Sequence, residues 1–136
     1  MKAACALMLG LIVLGGCSQK PAASSDPYAG LDGAILAWKT ELTQSDISCT
    51  RAPAGQKCTE FEVSCKGERP ITPDEQKKGV TAKLVADLTW SGFDDKGLAQ
   101  PAGAAATFEK ANGAWVRSAA NPVNPESCAD LPKGSR

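Results

Sequence analysis

The 136-residue chain contains no histidine. That omission removes the commonest general base, the Ser-His and Cys-His nucleophile pairs, and imidazole metal sites. The side chains left that could do chemistry are carboxylates, cysteines and one conspicuous tryptophan. Glu60 and Glu62 stand two residues apart and could be imagined as an acid/base pair. Their alternation with Phe61 and Val63, however, is that of an exposed strand face. Asp94-Asp95 could ligate a cation with loop carbonyls, but they precede Lys96-Gly97 in what reads as a solvated turn, without the calcium-loop pattern. No motif places a Ser-Lys dyad. The sequence therefore predicts no catalytic residue, no cofactor and no metal site.

Charge excludes a further class. Lys+Arg and Asp+Glu are equal at 15 each, so the chain carries no electrostatic footprint for nucleic acid. The six cysteines must be sorted by position. Met1-Lys2 supplies a positive charge, and Ala3 to Leu14 is an uncharged apolar stretch. It is too short to span a bilayer, which needs about 20 residues, but suited to a signal-peptide core. The stretch ends in Leu14-Gly15-Gly16-Cys17, which resembles the lipobox of bacterial lipoprotein precursors. The resemblance implies cleavage before Cys17, a diacylglycerol on its thiol, and acylation of the freed amine. It divides the chain into a signal peptide (1–16), a lipidated N-terminus and tether (17–25) and a single domain (26–136). By resemblance to Gram-negative lipoproteins, Ser18 after the cysteine implies the outer membrane, with the domain facing the periplasm. The membrane would then be a partner through lipid on Cys17. The tether, Ser18 to Ser25, is polar and small with nothing to bury, and if flexible spans roughly 15 to 17 Å.

Cys5 leaves with the signal, so Cys49, Cys58, Cys65 and Cys128 remain, an even number in a chain sent to an oxidising compartment. Two disulfides follow. Cys58 to Cys65 alternates as a strand should, which separates its ends by roughly 23 Å, beyond a disulfide's reach. Of the two other connectivities the preferred one pairs Cys49 with Cys58, closing the loop Thr50 to Lys57, and Cys65 with Cys128, pinning the tail. Large aliphatic residues are sparse and alanine is abundant, so such a core needs covalent help.

The elements that would position these residues follow from periodicity. Leu31, Ile35, Trp38 and Leu42 form one face of a helix ending near Thr43, with Asp26-Pro27 or Asp32 as its cap. Thr72-Pro73-Asp74-Glu75 is a capping box opening a short connector helix closed by Lys77-Lys78-Gly79. Val80 to Trp90 alternates as a strand. Val80, Ala82, Leu84, Ala86, Leu88 and Trp90 share one face; Thr81, Lys83, Asp87 and Thr89 share the other, with Val85 the exception. A hairpin follows from Ala104 to Lys110 and Trp115 to Ser118. A three-residue loop, Ala111-Asn112-Gly113, would face Phe108 with Val116 and turn Trp115 outward beside Glu109 and Arg117, as a tentative binding anchor. The tail from Asn121 holds three prolines and cannot be a central strand.

This order predicts an α+β fold, an antiparallel curled sheet packed on one N-terminal helix and stapled by disulfides. By element order alone it is similar to the cystatin-like and nuclear-transport-factor-like cone folds. The expected function is a non-enzymatic, lipid-anchored cell-envelope protein that binds another protein or an envelope component near the membrane. A carrier of a small apolar ligand, or a hydrolase inhibitor probing with the loop Thr50 to Lys57, are the alternatives.

Overall fold

The computed structural model describes residues 26–132. Helix α1 (Leu31–Ser45) packs on an open sheet of four antiparallel strands in the order β1 (Thr59–Glu68), β2 (Val80–Phe93), β3 (Ala99–Ala111), β4 (Ala114–Ala119). A single turn, α2 (Ile47–Thr50), joins α1 to β1, and α3 (Pro73–Lys77) joins β1 to β2.

The face of α1 that buries is the one its spacing implies: Leu31, Ile35 and Trp38 are buried and Leu42 packs beside them. They meet the inner face of the sheet, where Leu84, Ala86, Leu88, Trp90, Ala106 and Phe108 are buried. Phe108, fully buried, meets the Trp38 ring edge-on at 5.8 Å, the geometry that the ring quadrupoles favour. The start of α1 differs from expectation. Its N-cap is Gly30 at φ +86° with no side-chain cap. Asp26 instead accepts from the Tyr28 amide, organising the turn ahead of the helix. Glycine suits position 30 because its backbone is left-handed; the Trp115 ring lies beside it at a distance where an added Cβ would make only ordinary contact, 3.5 Å.

The connector helix α3 forms with both halves of its capping box: Thr72 Oγ1 accepts from the Glu75 amide, and Glu75 accepts from the Thr72 amide. Glu75 also meets Lys83 Nζ at 2.5 Å, and Lys83 reaches Glu109 at 3.3 Å on the paired strand. This mostly covered triad docks α3 on the outer face.

Both disulfides form as preferred, Cys49 with Cys58 (Cα–Cα 5.2 Å) and Cys65 with Cys128 (5.6 Å). The second lays the proline-rich tail across the outer face, where Val85, Val123 and Cys128 make a small second cluster. Val85 is thus the exception in the β2 alternation because the tail covers it. Asp87, on the same face, is buried as well, with only 7% of it exposed.

Candidate functional site

The hairpin register decides what Trp115 does. Asn112 (φ +52°) and Gly113 (φ +81°) form a two-residue turn, with Ala111 opposite Ala114 and Lys110 opposite Trp115. Two consecutive left-handed residues are what a tight hairpin with native twist requires. The register is therefore one residue away from the three-residue loop, and a one-residue slip exchanges the faces of a strand. Phe108 faces Arg117 rather than Val116, Val116 is 58% exposed, and Trp115 turns inward against the core. Its indole Nε1 donates to the Ala29 carbonyl at 2.9 Å, and Lys110 Nζ donates to the carbonyls of Ala29 and Pro27 while lying 5.7 Å from the ring centroid. The outward anchor is corrected: Trp115 and Lys110 clamp the turn that leads the chain into α1.

Beside that turn lies a cleft of about 420 Å³ with Leu31 and Leu84 at its base and Asp26, Tyr28, Asp32 and Glu68 around it. The Tyr28 hydroxyl donates to Glu68, which raises the phenol's pKa above its ordinary value, and Lys66 pairs with Asp32 at 3.2 Å. The beginning of the domain is thus held to β1 on one side and to β3 and β4 on the other. Cys17 lies outside the described residues.

The carboxylate pair is placed differently from the regular strand its sequence suggests. Glu60 sits at φ +57°, and the pairing of β1 with β2 shifts between Thr59 and Glu62 and again between Val63 and Cys65. The first irregularity leaves Phe61 stacked on Trp90 at 5.3 Å, under Lys39. Glu60 and Glu62 line one end of a shallow trough of about 470 Å³ that crosses the outer face by Thr89 and Ser91 to Pro101 on β3. Among the described residues neither carboxylate has an ion-pair partner. Asp94, by contrast, is a turn residue: its Oδ1 accepts from the amides of Lys96 and Leu98, closing the β2–β3 hairpin. The loop Thr50 to Lys57 lies against that hairpin through Pro53, beside Gly97.

Sequence reasoning missed Asp87. Burial pushes its carboxyl pKa up and the Ser64 hydroxyl partly offsets this by hydrogen bonding. It shares a strand face with Thr81, Lys83 and Thr89, and nothing local marks it as buried between Cys65 and Ala105, its partners on the flanking strands. Among the described residues no group of cysteine and acid side chains could hold a metal ion. Comparison with protein-family models, curated proteins and solved structures returns no match.

Proposed function

We propose that this is a lipid-anchored cell-envelope protein, non-enzymatic, that binds another protein or an envelope component close to its membrane. The observation that carries the reading is the run Leu14-Gly15-Gly16-Cys17 directly after an apolar stretch and ahead of a short polar tether. Two disulfides in so small a domain suit an oxidising compartment. The clamped lead-in turn suits a domain held at its N-terminal end, since load from an anchor would pass into the sheet through Lys110, Trp115 and Tyr28. The packed interface between α1 and the sheet favours surface binding over carriage of an apolar ligand inside the fold. Among the described residues no helix is long and apolar enough to cross a membrane, so membrane attachment is assigned to acyl chains on Cys17. More than one chain is needed for stable anchoring.

Growth with an alkyne-bearing fatty acid followed by fluorophore coupling tests the reading. The mature protein should label and sediment with membranes, and Cys17→Ser should abolish both. An unlabelled protein recovered in the soluble periplasmic fraction would refute the anchor. Turnover of a substrate by the purified domain would refute the non-enzymatic role.

A further inference from the structure

Strand β3 is longer than the strand that covers it. Its 13 residues pair with β2 along their whole length, whereas β4 pairs only with Ala106 to Ala111, and Ala120 adds one bond to the Ala105 carbonyl. From Ala99 to Ala104, roughly 20 Å of strand, the outward side of β3 has no neighbour among the described residues. In an antiparallel ladder each residue aims its N–H and C=O to the same side, and the sides alternate. The Ala105 carbonyl points outward to Ala120, so Ala99, Pro101 and Gly103 also present their backbone groups there. Pro101, with no N–H to give, stands where a proline is tolerated, facing the open side. The stretch carries no charge, and no strand or loop pairs with it among the described residues; Pro101, itself a device that commonly blunts an edge, withholds a donor at one position and leaves Ala99 and Gly103 as the outward donors.

The same edge opens onto the trough that ends at Glu60 and Glu62. Directly paired residues share a sheet face, and the pairs Glu62 with Thr89, Thr89 with Gly103, and Ser91 with Pro101 run across the outer face. Between the edge and the carboxylates the trough is lined by Thr89, Trp90 and Ser91 of β2 and by Ala99 to Ala102 of β3. We infer that this edge is a docking site for an extended, basic peptide segment of a partner protein, which adds as a fifth strand beside Ala99 to Gly103. Alternate arginine or lysine side chains of that segment lie across the trough toward Glu60 and Glu62. Backbone pairing gives the affinity and the side chains on one face give the selectivity, as in strand addition generally. The carboxylates, which have no ion-pair partner among the described residues, supply the charge complementarity. A second copy of this chain fits poorly. Self-pairing would bring two Pro101 residues into one short ladder, each lacking a donor, and would add no cation to the trough. The inference deepens the binding role proposed above, and its test does not depend on lipidation.

The probe is a blocked peptide of about eight residues alternating arginine with valine, titrated into the whole chain as purified from cells. Saturable binding should protect the amides of Ala99 and Gly103 from hydrogen exchange. Replacing arginine with glutamate in the peptide should abolish binding, and Glu60→Gln with Glu62→Gln should weaken it by about fivefold, as expected for two exposed ion pairs. N-methylation of the peptide amides on one edge should abolish binding while methylation on the other edge leaves it intact. No saturable binding overturns the inference. So does equal binding of the glutamate peptide, indifference to methylation on both edges, or binding that leaves Ala99 and Gly103 unprotected.

Discussion

Opening the Cys65–Cys128 bridge is expected to cost the domain far more than opening Cys49–Cys58. The bridges close loops of very different length, with sequence separations of 63 and 9. If a disulfide acts mainly by restricting the unfolded chain, the loop-closure relation gives about 4.3 kcal/mol for the long loop and about 2.6 kcal/mol for the short one at 25 °C. The long bridge also holds the tail that covers Val85, where the Arg69 guanidinium ties it further through the Cys128 carbonyl and Asp130. The perturbations are Cys65→Ala with Cys128→Ala, and separately Cys49→Ala with Cys58→Ala. Urea titrations followed by tryptophan fluorescence measure both, with the midpoint and slope read independently. The long-loop variant should lose about 1.7 kcal/mol more than the other, and its tail amides at Ser127 and Cys128 should exchange quickly while those of β2 stay protected. Equal losses would refute the reasoning, because they would mean that local packing around each bridge, not chain entropy, sets its contribution.

The Lys83 ammonium and the Thr72 amide hold the Glu75 carboxyl at about 2, below its ordinary 4.5. Stability from this group is full above pH 4.5 and lost as pH falls toward 2, so Glu75→Gln should lower the urea midpoint at pH 6 and cease to differ from the parent near pH 2. Asp87 has the opposite sign: burial raises its pKa, so the folded state prefers the protonated acid and this contribution is lost as pH rises. Asp87→Asn should raise the thermal midpoint at pH 7, with a benefit that disappears below the ordinary 3.8; a destabilised variant at pH 7 would contradict the burial argument. Gly67→Ala would place a Cβ 2.8 Å from Cys128 Cβ, and should destabilise by about 1 to 3 kcal/mol through overpacking, with faster exchange in the tail as the local sign.

Periodicity alone was enough to recover α1, α3, the long strand β2 and the antiparallel α+β arrangement. Each follows from a local rule that tertiary contacts here do not override: a helical stripe, a capping box, a two-residue alternation. The disulfide pairing was legible for a similar reason, since an extended run between Cys58 and Cys65 forbids one partner by distance alone. Three features were settled only by the tertiary structure. The turn Asn112-Gly113 admits two- and three-residue hairpins from sequence, and packing of the Trp115 indole over Gly30 and onto the Ala29 carbonyl accompanies the shorter one. Val85 reads as a stray apolar residue among polar ones until the tail, tied at Cys128, packs over it, and the burial of Asp87 beside it is likewise not written in its own strand. The open edge of β3 depends on where β4 stops, which is a matter of pairing between strands and is written in neither strand alone. Local patterns act over a few residues and survive in the sequence, whereas register, covering and edge exposure are properties of two segments at once.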